Sequence, residues 1–207
     1  RLVRLGLAER PLDAWALATG LMPPGVKVHD IGMAMTPMAY FAQFDLDVPA
    51  VAMVTASHNE NGWTGVKMGA NRPLTFGPDE MGRLGDIVLS GRFHARGGGS
   101  YRFVEGFANR YIADLSNRPK LKTRIKTVAA CGNGTAGAFA PRVLEAIGAE
   151  VVPLDAELDY TFPRYNPNPE DLKMLHAIRD EVLRTGAAVG LGFDGDGDRC
   201  RVVDNEG

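Results

Sequence analysis

Cysteine is scarce in this sequence, with only Cys131 and Cys200 among 207 residues. Both lie in strand-like contexts, and their spacing suits neither a metal site nor a disulfide framework, so reduced thiols in a cytoplasmic protein are expected. Long apolar runs are also missing. None approaches the roughly 18 residues that a bilayer-spanning helix needs, and the first residues lack the basic-then-apolar order of a signal peptide, so no membrane partner is expected. Charge imbalance is absent too: 23 basic and 25 acidic residues leave a formal net charge of -2, and no global field draws the chain to nucleic acid. What remains is ordinary globular composition with 45% hydrophobic residues, enough for one large core or two small ones. The chain does not open on Met and closes just after a strand-like run, as a piece cut from something longer would.

The order of elements points to an α/β fold. Residues 1 to 10 carry three arginines and no clear periodicity. Pro11 opens a helix that Pro23-Pro24-Gly25 stops. Val26 to Gly32 alternates as a strand. Thr36-Pro37 reads as an N-cap and first helical residue, with Met38, Tyr40, Phe41 and Phe44 as the buried stripe. Pro49 to Val54 reads as a continuous apolar strand of the kind buried in a parallel sheet. A strand at residues 65 to 69 and a helix from Gly77 to Leu89 follow. The glycine-rich stretch around Gly97-Gly98-Gly99 has little to pack and marks a domain boundary, and residues 104 to 115 form a connecting helix. Beyond it come a strand to Cys131, a glycine turn, a helix to Ile147, a strand at 150 to 154, a helix at 170 to 185, and strands at 187 to 193 and 200 to 204. Gly25 before Val26 to Asp30 parallels Gly148 before Glu150 to Asp155, a faint repeat that argues for two similar domains, residues 1–99 and 100–207.

The sharpest chemical signal is Asp194-Gly195-Asp196-Gly197-Asp198-Arg199 between two strand-like runs. On a flat strand the carboxylates would line one face, whereas the glycines let the backbone curl until all three converge. Unpaired, they would repel strongly, and a hard divalent cation is the natural counter-charge. An EF-hand fails, because Arg199 and Asn205 stand where that loop needs glycine and glutamate, and the flanks read as strands. Three carboxylates leave open positions on the ion, which suits Mg²⁺ that also holds a phosphate oxygen.

Two other stretches carry chemistry. Gly132-x-Gly134-x-x-Gly137 between a strand and a helix, with Asp155 further on, fits a dinucleotide fingerprint, so an NAD(P)-binding oxidoreductase stands as an alternative. The polar loop Val54 to Lys67 presents Ser57 beside His58 after an apolar strand. Adjacent residues of an extended segment point apart, and Thr55 and Asn59 occupy the glycine places of a nucleophile elbow, so a hydrolase triad is disfavoured. Ser57 is better used as a phosphoryl carrier, with a cation to neutralise charge and nearby imidazole and amine to manage protons. A non-catalytic divalent-metal module is the third reading.

These blocks resemble the α-D-phosphohexomutases, the phosphomannomutase/phosphoglucomutase group. The resemblance rests on Thr55-Ala56-Ser57-His58-Asn59 with Lys67, Cys131 to Gly137, Phe162-Pro163-x-x-x-Pro167-Asn168-Pro169, and Asp194 to Arg199. It covers the chain from about Gly25 onward and the first two of that family's four domains. It implies two similar three-layer α/β/α domains with mainly parallel mixed sheets. It also implies a phosphoserine at Ser57, Mg²⁺ held by Asp194, Asp196, Asp198 and the Ser57 phosphate, Arg199 assisting beside the metal loop, and His58 and Lys67 as proton-handling groups. The implied reaction interconverts hexose 1- and 6-phosphates of mannose or glucose through a 1,6-bisphosphate. Departures from the family pattern fall at Glu60-Asn61, Thr64 and Arg164-Tyr165-Asn166. The third domain, which reads the sugar, and the fourth, which grips the far phosphate, would lie beyond Gly207. Little turnover is therefore expected of this chain alone.

Overall fold

The computed structural model describes residues 11–60, 62–72, 74–118 and 120–207. The amino-terminal segment 1–10 and Asn61 of the serine loop lie outside the described residues. The chain forms two compact units, one running to Thr55 and resuming at Thr64–Phe107, the other made of Ala56–Trp63 and Ala108–Gly207.

The first unit contains α1 (Pro11–Leu21), β1 (Lys27–Asp30), α2 (Thr36–Asp45), β2 (Ala50–Val54), β3 (Val66–Ala70), α3 (Pro78–Ser90) and β4 (Ser100–Phe103). Ala14 and Ala18 of α1 pack with Val26, Val28, Ala52 and Val54 into its core. Small side chains on that helix face let it lie close to the strands, and Leu17 and Leu21 fill in around them.

Three sequence expectations are corrected here. β2 is buried from Val51 to Val54 as expected, yet its partner is β3 in antiparallel register, with Val54 opposite Val66. A short polar return allows that pairing, and continuous burial alone cannot distinguish it from a parallel one. On α2 the buried face is Thr36, Met38, Ala39, Ala42 and Gln43, while Phe44 is exposed; Met35 takes the N-cap place and Thr36 is already helical. The glycine-rich stretch is largely exposed, as its composition suggests, but it is tied down by the N–H groups of Arg96 and Gly97, which donate to the Pro23 carbonyl at 2.9 and 3.1 Å. It leads into β4, which pairs in parallel with β1, so Ser100–Phe103 go with the first unit.

The second unit holds a four-stranded sheet in the order β6 (Glu150–Leu154), β5 (Lys126–Ala130), β7 (Val189–Phe193) and β8 (Cys200–Asp204). β6, β5 and β7 are parallel and β8 is antiparallel to β7. α4 (Phe107–Ser116) leads into it, α5 (Ala140–Ala146) joins β5 to β6, and α6 (Leu172–Thr185) joins β6 to β7. The two crossovers run in opposite directions along the sheet, so the right-handed rule puts α5 and α6 on opposite faces. The core joins Val128 and Ala130 of β5 to Met174, Ile178 and Val182 of α6. Gly190 and Gly192 permit this close seat, since a Cβ on either would fall 2.3 to 2.6 Å from Ile178 side-chain atoms. α6 starts with Asp171 as N-cap, its carboxylate accepting from the Lys173 N–H at 2.8 Å. β5 and β7 thus run side by side and in parallel, and their carboxyl ends lead into the glycine turn and the aspartate loop, where open α/β sheets place their ligands.

Candidate active site and metal centre

After Phe193 the chain turns at Gly197, whose φ is +70°, before re-entering the sheet at Cys200. The turn brings Asp194, Asp196 and Asp198 together, with one oxygen from each within 4.8 Å of the others. Asp194 and Asp196 are buried, at 0% and 3% exposure, and Asp198 is exposed. Asp194 is the anchor of the loop. Its Oδ1 accepts from the N–H groups of Asp198 and Arg199 at 3.0 and 3.1 Å, and its Oδ2 accepts from Arg199 Nε at 3.2 Å. Burial first, and the Asp196 charge second, hold the Asp194 carboxyl above the usual carboxylate range, while the Arg199 N–H bond pulls the other way. Arg199 also reaches Glu170 Oε1 at 3.6 Å.

Ser57 belongs to this same unit, although it precedes Asp194 by 137 positions. Its Oγ lies 3.4 Å from Asp194 Oδ2, 3.4 Å from Asp196 Oδ1 and 3.3 Å from His58 Nδ1. One hydroxyl hydrogen can serve only one acceptor at a time, and each distance is at the long end of hydrogen bonding. The expectation that Ser57 and His58 point apart is corrected. It assumed extended backbone, whereas Ser57 has φ +55°, and this left-handed turn swings the imidazole back to the hydroxyl.

Of the residues singled out from sequence, Ser57, His58, Asp194, Asp196, Asp198 and Arg199 therefore come together in the second unit. Lys67 is in the first unit, on β3 opposite Met53. Sequence reasoning missed the parts that hold the loops. The Gly195 N–H donates to the Pro167 carbonyl at 3.1 Å, and Asn166 Nδ2 donates to the His58 carbonyl. A Cβ on Gly195 would fall 2.3 Å from the Ser57 carbonyl oxygen. The signal available in sequence was the proline segment around Pro167, which shows no chemistry of its own because its work is done by backbone and amide groups.

The glycine turn is closed by protein. The N–H groups of Asn133, Gly134, Thr135 and Gly137 donate to carbonyls of Asp155, Cys131, Gly195 and Gly134 at 2.6 to 3.1 Å. Asp155, the residue a ribose would need, binds Arg164 Nη1 at 2.9 Å and the Tyr165 hydroxyl. Amides committed in this way cannot also receive a pyrophosphate, which removes the basis for the dinucleotide alternative. Gly134 meets the aspartate loop instead: a Cβ there would lie 3.0 Å from Gly195 Cα.

The donor set fits a hard divalent cation. It is all oxygen, two of its carboxylates are buried, and Arg199 supplies a single positive charge against three negative ones. Thiolate and imidazole ligands of a softer metal are absent from that cluster.

Comparison with known proteins gives concordant matches. Residues 12–95 match the family model described as phosphoglucomutase/phosphomannomutase, alpha/beta/alpha domain I, and residues 102–207 match domain II of the same description. The phosphomannomutase/phosphoglucomutase of Pseudomonas putida is 35% identical over 204 residues, covering 99% of this chain and 43% of that protein. A probable phosphoglucosamine mutase from Methanobrevibacter smithii is 31% identical over 195 residues, covering 93% of this chain and 44% of that protein. Among solved structures, a phosphoglucomutase/phosphomannomutase family protein from Burkholderia thailandensis matches with a TM-score of 0.89 and 34% identity, over all of this chain and 46% of that one. The chain thus spans about half the length of the curated relatives it matches, 43% in the case of the Pseudomonas putida protein.

Proposed function

The chain belongs to the phosphoglucomutase/phosphomannomutase family, and from that premise we propose that it carries the phosphoserine and the metal loop of a phosphohexose mutase. The reaction interconverts the 1- and 6-phosphates of mannose or glucose through the 1,6-bisphosphate. The observation that carries this reading is the position of Ser57 Oγ, 3.4 Å from both Asp194 and Asp196 and 3.3 Å from His58 Nδ1. A serine used only in a surface turn has no need of two buried carboxylates from a loop so distant in sequence.

In the phosphorylated resting form, the sugar hydroxyl oxygen attacks phosphorus, the Oγ–P bond breaks, and a sugar O–P bond forms. The hydroxyl proton passes to a base, and Ser57 Oγ takes a proton to become the free hydroxyl. His58 Nδ1 is within reach of Oγ for that exchange, and Lys67 is the second proton-handling candidate. Reorientation of the bisphosphate and the reverse transfer from its other end restore the phosphoserine. Asp194, Asp196, Asp198 and the Ser57 phosphate would hold Mg²⁺, which when bound neutralises charge on the transferring group. Arg199 steadies Asp194 at 3.2 Å and offsets part of the loop's negative charge.

On this reading the Ser57 loop supplies the phosphoserine and the Asp194 to Asp198 loop the metal site, and further domains of the same enzyme complete the sugar site. Phosphorylated substrates and two free thiols fit a cytoplasmic enzyme. The chain alone should turn over little hexose phosphate. The test is to incubate it with glucose 1,6-bisphosphate and Mg²⁺ and map phosphate by peptide mass. A single phosphoryl group on the Ser57 peptide, absent from Ser57→Ala, is expected; no phosphate at Ser57 would sink the reading.

A further inference from the structure

Ser57 has a left-handed backbone, φ +55°, which a residue with a Cβ keeps only where its surroundings hold it. Three contacts bear on that turn. Within the loop, Asn59 donates to the Ala56 carbonyl through its N–H at 3.0 Å and through Nδ2 at 2.8 Å. The Gly195 backbone lies against the Ser57 carbonyl, leaving no room for a side chain. The third is Asn166, whose Nδ2 donates to the His58 carbonyl.

Asn166 is placed as a brace. The carbonyl of its neighbour Pro167 accepts from the Gly195 N–H at 3.1 Å, so one short segment holds both the serine loop and the aspartate loop. The other polar atom of its side chain, Oδ1, is buried without a hydrogen bond. Burying an amide that is half satisfied is unfavourable, and here it is offset by the bond to the serine loop. Asn166 is half-buried, beside Tyr165, which belongs to the hydrophobic cluster of Val128, Met174 and Ile178.

We propose that Asn166 is a positioning residue for phosphoryl transfer: its hydrogen bond to the His58 carbonyl holds Ser57 in the left-handed turn that sets Oγ level with the Asp194 and Asp196 carboxylates. The proposal rests on the reading of Ser57 as the phosphoryl carrier. In the loading step a sugar O–P bond of the bisphosphate breaks as the Ser57 Oγ–P bond forms, and the serine proton ends on the sugar oxygen, which leaves a hexose monophosphate. Any side chain that puts an N–H at the place of Nδ2 should serve. Histidine qualifies, since its Nδ1, like Asn Nδ2, is attached to Cγ.

The experiment measures the rate of Ser57 phosphorylation in this chain by glucose 1,6-bisphosphate with Mg²⁺, at a series of donor concentrations, for the parent, Asn166→Ala, Asn166→Asp and Asn166→His. For Ala and Asp the saturating rate should fall about ten- to a hundredfold, the size of effect that a small misplacement of reacting groups produces. The donor concentration at half-saturation and the melting temperature should stay at the parent's values, and Asn166→His should recover most of the rate. If the parent is phosphorylated and the Ala and Asp variants react as fast, or lose rate only together with melting temperature, or if His fails to recover it, Asn166 has no positioning role. If the parent itself never gains phosphate at Ser57, the carrier reading fails and this proposal falls with it.

Discussion

Two glycine-bearing loops leave the carboxyl ends of neighbouring strands in the second unit, and they do opposite things. The turn Gly132 to Gly137 after β5 spends its N–H groups on protein carbonyls, and Asp155 beside it is taken by Arg164 and Tyr165. The loop Asp194 to Asp198 after β7 spends its glycines on curvature and close approach, and brings three carboxylates within 4.8 Å beside Ser57. A glycine pattern therefore says that backbone must come close to something. Whether that something is a ligand or another loop depends on what else the loop presents: the N–H groups of Gly195, Asp198 and Arg199 are committed too, and the aspartate loop differs in offering carboxylates. Here the closed turn is the seat of the open one, because Thr135 N–H donates to the Gly195 carbonyl at 3.0 Å.

The contrast is open to direct attack. The largest expected effect is on the open loop: Asp196→Ala should abolish divalent cation binding measured by calorimetry, while Gly134→Ala leaves it detectable and NAD(H) binds neither protein. If the Asp196 variant retained parental cation affinity, the acidic cluster would not be the metal centre.

Next comes the alkaline stability of the closed turn. Burial, and then the Asp155 charge, push the Cys131 thiol from its ordinary 9.0 up to about 12. Below pH 9 both native and unfolded chains keep the proton, and there is no penalty. Between 9 and about 12 the unfolded chain releases it and the native chain does not, so stability falls as pH rises through that window. The loss attributable to this thiol is on the order of 4 kcal/mol. Denaturant unfolding of the parent and Cys131→Ala at several pH values measures it; equal alkaline slopes would refute the assignment.

Smaller again is the cost of closeness. Gly195→Ala must displace the Ser57 carbonyl and should destabilise by about 2 kcal/mol, with Gly134→Ala at about 1 kcal/mol because its tightest contact is longer. Equal melting temperatures for parent and Gly195→Ala would mean that the loops separate easily. The smallest effect lies away from both loops. Asp171→Ala removes the N-cap of α6 and should cost about 1 kcal/mol without changing cation affinity.

Much of this was legible in the chain itself. Helix and strand positions in the second unit follow from periodicity and turn residues, since local preference and burial agree there. The first unit was harder. An all-apolar strand such as β2 looks the same whether its neighbour is parallel or antiparallel, and Phe44 looks like core until smaller side chains on the same helix take the core face. The pairing of β4 with β1 follows a glycine-rich tract that composition alone marks as a linker.

The sequence by itself determined the chemistry on offer: carboxylates at alternate positions separated by glycine, a serine and histidine in a polar loop, and too few cysteines or apolar runs for other callings. These are properties of residue type and local spacing, which the chain carries wherever it folds. Only the tertiary structure decided what meets what. It joined Ser57 to a loop 137 positions away, turned His58 back toward it through a left-handed φ, and closed the glycine turn with carbonyls from elsewhere in the unit. The physical reason is that distances between remote loops depend on sheet order and on how closely backbones can approach, and neither is encoded in any one stretch.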